Sequence, residues 1–237
     1  MKTVTRSIVD PSALVFAAEL LSAHELIVVY FQGTYAFLCD CDATIPADKI
    51  FQIKNRPREK GLSLVVDPEF LPDFVELAHP AFERFPLEKS VELQRSLHAL
   101  GLVFPASPNA PADIVQNGTI LNVWTEYQPH RPLTQLTHLA RSKGVRGFKG
   151  ASTNLSHEPT YNTVEQVLAQ FDGQVRLILD GEVPVFENRR KSTTLIDLTG
   201  KRPTMIRAGN VTADEVQSAL TRVGYGKLEI AANVKVL

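Results

Sequence analysis

A run of cations in the first third of the chain could bind an anionic ligand. The members of this run lie at every second position: Lys54, Arg56, Arg58 and Lys60. In an extended segment they would project to one side, because side chains alternate with a period of two. An arginine offers a planar fork to phosphate or carboxylate oxygens, and a lysine supplies a point charge. The spacing predicts a site for a polyphosphate or a carboxylate, with a solvated surface loop as the alternative.

Small polar side chains recur in two later segments. Residues 151–156 read Ala-Ser-Thr-Asn-Leu-Ser after Gly150, and residues 191–194 read Lys-Ser-Thr-Thr before an apolar stretch. A further piece, Arg207-Ala208-Gly209, follows them. Hydroxyl and amide groups beside glycine give compact donors to phosphate or carboxylate oxygens. Each segment alone is also typical of ordinary turns, so no single one identifies a site.

Taken in order, these segments resemble the YrdC-like family of threonylcarbamoyl-adenylate synthases. Members typically show K-x-R-x-x-x-K-x-L, then S-A-N-x-S-G-x-P, then S-T-x-x-D and R-x-G. Here residues 54–62 read K-N-R-P-R-E-K-G-L, and residues 152–159 read S-T-N-L-S-H-E-P. Residues 192–197 read S-T-T-L-I-D, and residues 207–209 read R-A-G. The resemblance runs from about residue 26 to the C-terminus, with a poor match between about 67 and 145.

The resemblance implies a fold and a reaction. The fold is mixed α/β, an open twisted sheet with helices and a concave basic cleft. The reaction is that of a nucleotidyltransferase, in which ATP, bicarbonate and threonine give threonylcarbamoyl-AMP and pyrophosphate for the t6A modification of tRNA. ATP and Mg²⁺ are expected from the resemblance. No metal-ligating residue is predicted, because magnesium keeps several waters and often has few protein ligands.

The resemblance also implies roles for individual residues. Lys54 and Arg56 would face the phosphates and the carboxylated intermediate as the catalytic pair. The remaining matched positions would bind the nucleotide: Lys60, Ser152, Asn154, Ser192 and Arg207. Attack of a carbamate on the α-phosphorus needs charge neutralisation and alignment more than a side-chain nucleophile. These residue types suit that chemistry.

The acceptor pocket departs from the family pattern. Members usually carry P-T-D-T-V-Y-G-L, whereas residues 30–37 here read Y-F-Q-G-T-Y-A-F. Gln32, Thr34 and Tyr35 would form this pocket, and Tyr35 alone is unchanged. The usual small hydroxyls and acid would pair with an amino acid's ammonium and carboxylate groups. The acceptor is therefore either threonine or another molecule that carries an amine.

Two other functions remain open for this chain. One is a binding module that holds a nucleotide or double-stranded RNA without turnover, and the other is a catalytically silent relative. Binding of RNA by its shape needs a continuous basic face. The chain carries 25 lysines and arginines against 26 acidic residues, so any basic patch must be local.

Alternating helix and strand patterns predict a mixed α/β fold over a single domain, 1–237. Asp10 and Pro11 predict the start of a first helix over 11–23, and capping boxes begin helices at Thr163 and Thr212. Apolar runs predict the strands: 26–30, 34–41, 62–66, 119–124, 175–179, 193–198 and 204–206. Further helices are expected after Pro46, over 87–100 and over 133–142.

Composition favours a cytoplasmic protein. No stretch reaches the roughly 18 to 20 apolar residues of a membrane-spanning helix, and no apolar run typical of a signal peptide follows the N-terminus. Cys39 and Cys41 are too few for a disulfide framework, and no second pair exists to complete a zinc site. We expect both to be buried structural thiols.

Overall fold

The computed structural model describes residues 2–31, 33–97, 100–124, 132–155, 160–181 and 193–234. The chain divides into two compact units, each built from two segments. The first unit comprises Met1–Val65 and Tyr127–Arg190, and the second comprises Val66–Glu126 and Lys191–Leu237. A single domain over 1–237 stays a prediction.

The elements follow one another in chain order. The first unit begins with β1 (Val4–Ser7), α1 (Pro11–Ser22), β2 (Ile27–Phe31), β3 (Thr34–Asp40), α2 (Thr44–Ile53) and β4 (Ser63–Val65). The second unit begins with α3 (Ala81–Arg84), α4 (Leu87–Ser96), β5 (Leu100–Pro105), β6 (Val115–Gln116) and β7 (Thr119–Trp124). The first unit resumes with α5 (Pro132–Arg141), β8 (Phe148–Ser152), α6 (Val164–Phe171) and β9 (Leu177–Asp180). The second ends with β10 (Thr194–Asp197), β11 (Thr204–Arg207), α7 (Ala213–Arg222) and β12 (Glu229–Ile230). Turns of 3₁₀ helix occupy Arg58–Lys60, Pro68–Asp73 and Ala112–Ile114.

The strands of the first unit lie in the order β1-β9-β2-β3-β8-β4. β9 pairs in parallel with β1 and β2, whereas β2, β3, β8 and β4 pair antiparallel. Gly150 lies where β8 passes closest to β3, because a Cβ there would come within 2.1 Å of the Phe37 carbonyl oxygen. Any larger residue at this position would push the two strands apart.

Helix α1 shows how the sequence positions the layers of the first unit. The Asp10 side chain accepts a hydrogen bond from the Ser12 N–H, and Pro11 occupies the first turn, as the sequence predicts. The apolar stripe of the helix, which includes Leu14, Ala18 and Leu21, is buried. This helix packs against α5, while Phe171 of α6 meets Phe37 of β3 edge to face at 5.0 Å. The sheet thus gains an apolar core.

The strands of the second unit follow the order β7-β5-β10-β11-β12, with β6 paired to β7. β5 pairs antiparallel with β7 and parallel with β10. The sequence pattern predicted a helix over 87–100, but α4 ends at Ser96 and Leu100 begins β5. Leu93 and Leu97 continue the helical spacing, but buried strands and buried helical stripes use the same apolar residues, so the pattern does not show where the helix ends.

The two units together confirm the mixed α/β class and the open, unclosed order of the strands. Capping boxes are present at Thr163 with Gln166 and at Thr212 with Glu215, as predicted. Cys39 and Cys41 are both buried free thiols, which also confirms the prediction. Across the described ranges, none of the helices combines the length and the hydropathy needed to cross a membrane.

A buried amide pair joins four segments of the second unit: the chain at Val66, α4, β5 and β7. Gln94 Nε2 donates to the carbonyl oxygens of Leu100 and Asn122, at 3.3 and 3.1 Å. Asn122 Nδ2 donates to Gln94 Oε1 at 3.2 Å, and Asn122 Oδ1 accepts from the Val66 N–H at 3.3 Å. Both side chains are almost completely buried, so their polar atoms depend on each other and on these backbone groups for hydrogen bonds.

We expect Asn122→Ala to lower the free energy of unfolding by about 2 to 4 kcal/mol, because it leaves buried donors and acceptors on Gln94 and Val66 unsatisfied. Urea titration followed by circular dichroism measures the change. The exposed Asn109 supplies the control, since Asn109→Ala should change stability by less than about 0.5 kcal/mol. Equal stability of the two variants would contradict the role of the amide pair.

Candidate functional site

The cation run begins at the end of α2, which folds differently from the extended segment that the sequence predicted. The N–H of Lys54 bonds to the Ile50 carbonyl, and the N–H of Arg56 bonds to the Phe51 carbonyl. Asn55 adopts a left-handed φ of 46°, which an asparagine tolerates and which turns the chain out of the helix. A 3₁₀ turn over Arg58–Lys60 follows. The four cations therefore do not project to one side, and that expectation is wrong.

Lys54 points into the first unit. Only 2% of the residue is exposed, and its Nζ donates to the carbonyl oxygens of Ser152, at 2.5 Å, and of Asn154. Burial lowers the pKa of Lys54 to about 8, with a further contribution from the charge of Arg56. The two carbonyl oxygens stabilise the ammonium in a place where water cannot reach it freely.

Arg56 folds back over the turn that follows it. Its Nε donates to the Gly61 carbonyl at 2.9 Å, and its Nη2 donates to the Lys60 carbonyl at 2.8 Å. Burial lowers the pKa of Arg56 from its ordinary value. Gly61 has a φ of 48°, so the turn needs the conformational freedom of glycine at this point. Arg56 therefore fixes the turn beside Lys54.

The other two cations are more solvent-exposed. Arg58 donates to Asp48 at 2.8 Å and lies over the ring of Phe51 at 5.1 Å. Lys60 is exposed at the end of the 3₁₀ turn. An exposed ion pair of this kind contributes little to stability, and it lowers the charge that Arg58 offers to a ligand.

The Ser152–Leu155 segment receives the ammonium of Lys54. β8 ends at Ser152, and the next residue, Thr153, is completely buried. The N–H and the Oγ1 of Thr153 both donate to the Tyr35 carbonyl, at 2.9 and 3.2 Å. Asn154 Nδ2 donates to the Leu155 carbonyl at 3.0 Å. Thr153 is thus fixed against β3 while the carbonyls on either side of it turn to Lys54.

The β2–β3 hairpin holds the residues predicted for the acceptor pocket. Thr34 Oγ1 donates to the Phe31 carbonyl at 3.0 Å, while Gln32 lies outside the described residues. Tyr35 is 2% exposed and meets Tyr30 edge to face at 5.3 Å. The structure thus places the Tyr35 ring inside the first unit, beside the hairpin turn.

A carboxylate that sequence reasoning missed lies against Tyr35. The Tyr35 hydroxyl donates to Oδ1 of Asp180, the last residue of β9. Burial, together with the hydrogen bond and the charge of Asp180, raises the pKa of Tyr35 well above its ordinary value. Burial also raises the pKa of Tyr30. The sequence feature that could have indicated Asp180 is an acid followed by glycine directly after the apolar run 177–179.

The predicted site residues divide between the two units. The first unit brings Lys54, Ser152 and Asn154 into contact, with Arg56 at the adjoining turn. In the second unit, Arg207 ends β11, where its Nε donates to the Thr193 carbonyl at 2.8 Å. Ser192 lies outside the residues that the structure describes.

A separate group of potential metal ligands lies at the end of β3. The ligand atoms of Asp40, Cys41 and Asp42 come within 4.8 Å of one another. His24 Nδ1 lies 2.9 Å from Asp40, and Arg146 contacts Asp42 at 2.7 Å. Burial raises the pKa of the Cys41 thiol, which favours the thiol over the metal-binding thiolate. The contacts with His24 and Arg146 explain the two carboxylates as structural groups that need no metal.

The chain is similar to two bacterial proteins named threonylcarbamoyl-AMP synthase. The Pseudoalteromonas translucida protein is 26% identical over 194 residues, which is 81% of this chain and 97% of that protein. The Bacillus subtilis protein is 25% identical over 211 residues, which is 89% of this chain. The match spans 57% of the length of the Bacillus subtilis relative.

The fold is similar to a solved structure of P. abyssi Sua5 complexed with L-threonine. The TM-score is 0.76 at 20% sequence identity. The match covers 96% of this chain and 62% of that one.

Residues 19–209 match the Sua5/YciO/YrdC family model, which carries the description telomere recombination. This range contains the hairpin, the cation run, the Ser152–Leu155 segment and Arg207. The chain therefore belongs to the Sua5/YciO/YrdC family.

Proposed function

We propose that this chain forms a carbamoyl-adenylate from ATP, bicarbonate and an amine-bearing small molecule, with threonine as the first acceptor to test. The observation that carries the proposal is the contact of buried Lys54 with the Ser152–Leu155 segment, which joins two of the motifs that the resemblance assigns to the nucleotide. Relatives named threonylcarbamoyl-AMP synthase support it.

The proposed reaction has two bond-forming steps. The acceptor amine and bicarbonate give a carbamate and water, and a carbamate oxygen then attacks the α-phosphorus of ATP. The bond between the α-phosphorus and the bridging oxygen breaks, and pyrophosphate leaves. Negative charge builds up on the oxygens bound to the α-phosphorus, so fixed cations lower the activation barrier. The carbamate is itself the nucleophile, and no side-chain nucleophile is needed.

Lys54 and Arg56 fit the task of charge stabilisation. Both are partly or fully withdrawn from water, where a charge acts over a low local dielectric. Both are also held in place by backbone carbonyl oxygens rather than by flexible side chains. Such groups need no reorganisation when the phosphate charge develops, because their positions are set by the fold.

Magnesium would accompany the nucleotide in this proposal. Mg²⁺ prefers oxygen ligands and keeps several waters, usually binding through substrate phosphates and one or two carboxylates. The candidate residues are mainly cations and hydroxyl or amide groups, which suit the phosphates rather than a dedicated metal cage. The ion would then supply further neutralisation of phosphate charge.

The structure gives less support to a double-stranded RNA module. Such binding needs a continuous basic face across successive phosphates. In the cation run, Lys54 is buried, Arg58 is paired with Asp48, and Arg56 donates to two carbonyls. The cations of this run therefore lie in separate environments and do not form a continuous basic face.

The acceptor is tested by measuring pyrophosphate release from ATP and Mg²⁺ with bicarbonate and threonine, and with other amine-bearing acids in place of threonine. We expect release that needs both bicarbonate and an acceptor. Omission of either component is the internal control. ATP binding without any release under all of these conditions would contradict the enzymatic proposal and favour a silent relative.

Lys54→Met tests the charge at the site, because methionine keeps most of the side-chain volume without the ammonium. We expect the Kd for ATP, measured by calorimetry, to rise at least about tenfold, as charge-assisted hydrogen bonds are the stronger ones. Arg58→Met removes an exposed cation from the same run and should change the Kd by less than about twofold. Equal changes in the Kd for ATP in the two variants would contradict the placement of Lys54 at the nucleotide site.

The pH dependence of stability tests the burial of Lys54. Its pKa falls from 10.5 to about 8 in the folded protein, so the unfolded chain binds more protons between these values. The unfolding free energy of the wild type should therefore rise relative to Lys54→Met, by about 1.4 kcal/mol per pH unit from about pH 8 to 10. Urea titrations of both proteins measure this difference. A difference that stays constant with pH would contradict the lowered pKa.

A further inference from the structure

We propose that Asp180 is a positioning residue, which acts through Tyr35 to fix the segment that binds Lys54. Three consecutive contacts carry this inference, and all of them lie inside the first unit. The inference rests on the proposed function, which gives Lys54 its role, but the three contacts can be tested without measuring the reaction.

The first contact joins β9 to β3. The Tyr35 hydroxyl donates to Oδ1 of Asp180, although 145 residues separate the two in the chain. A hydrogen bond to a carboxylate is stronger than one between neutral groups, because the acceptor carries the charge. Burial of Tyr35 strengthens the bond further, since little water reaches the tyrosine side to compete for it.

Neighbouring residues hold Asp180 in place. The Asp180 carbonyl accepts from the Ile8 N–H at 2.7 Å, which fixes the end of β9 against the chain after β1. A Cβ at Gly181 would come within 2.2 Å of the Tyr30 ring. Gly181 therefore lies directly over Tyr30, which itself meets the Tyr35 ring. Asp180 and both rings form one packed group.

The second contact joins Tyr35 to the segment that follows β8. The Tyr35 carbonyl accepts from both the N–H and the Oγ1 of Thr153. Thr153 is completely buried, so these two bonds decide its position. The side chain of Tyr35 is held by Asp180, and its backbone holds Thr153 in turn.

The third contact joins that segment to the candidate catalytic lysine. Ser152 and Asn154, on either side of Thr153, direct their carbonyl oxygens to Lys54 Nζ. A shift of Thr153 would move both oxygens and hence the ammonium. Misplacement of a reacting or charge-stabilising group by about 1 Å can cost on the order of a hundredfold in rate. Asp180 thus influences the site without touching the reactants.

The test compares Tyr35→Phe and Asp180→Ala with the wild type. Tyr35→Phe keeps the ring and the carbonyl that holds Thr153, and it removes only the hydroxyl. We expect amide exchange at Thr153 to become about tenfold faster in each variant, and the Kd for ATP to rise by a similar factor. The double variant should lose no more than the stronger single variant, because both substitutions break the same bond.

Two further variants separate positioning from a general loss of stability. Asp180→Asn keeps an oxygen that can accept from Tyr35, and it should retain an ATP affinity within about threefold of the wild type. Tyr225→Phe removes a comparable buried hydroxyl in the second unit, which bonds to Ser90 at 2.9 Å and to the Pro86 carbonyl at 3.0 Å. It should change neither Thr153 exchange nor ATP affinity.

Each outcome decides a different point. Unchanged exchange at Thr153 in both Tyr35→Phe and Asp180→Ala would overturn the inference, as would faster exchange with unaltered ATP affinity. Failure of the wild type to release pyrophosphate would instead count against the proposed function. In that case, faster exchange at Thr153 with rescue by Asp180→Asn would still support the positioning of this segment.

Discussion

The arrangement of the first unit depends on a lysine ammonium withdrawn from water. Taking the charge of Lys54 into the protein is costly unless hydrogen bonds compensate for the lost solvent. The carbonyl oxygens of Ser152 and Asn154 supply that compensation. They can do so only if α2 ends at Ile53, β8 ends at Ser152 and the residue between the two carbonyls is held from the other side. The ends of a helix and a strand, as well as the buried Thr153, follow from this requirement.

The same requirement explains why cations at every second position of the sequence do not line up on one side of the folded chain. Alternation places side chains on one side only while the backbone is extended. Here the first cation ends a helix and the last two lie in a 3₁₀ turn, so four similar residues have four different environments. Pro57 disfavours a helical conformation for Arg56, the residue before it, but it does not determine how the chain continues beyond it.

Local signals predicted the fold better than they predicted the site. Capping boxes at Thr163 and Thr212 and the proline after Asp10 determine helix starts through contacts within a few residues. The contact of Asp180 with Tyr35 joins residues far apart in the chain, and no local pattern reports it. The motif order indicated that Lys54 and the Ser152–Leu155 segment belong to one site. It could not indicate that the lysine binds the backbone carbonyls of that segment.

The position of β9 has a consequence for the order in which the first unit can form during synthesis. This strand lies between β1 and β2, so residues 4–7 pair with residues 177–180. A ribosome makes the two flanking strands long before the strand that joins them. Until residue 180 has left the exit tunnel, the apolar β2 keeps an open edge that other chains could pair with. The pairing of β2 with β9 can therefore form only after most of the first unit has been synthesised.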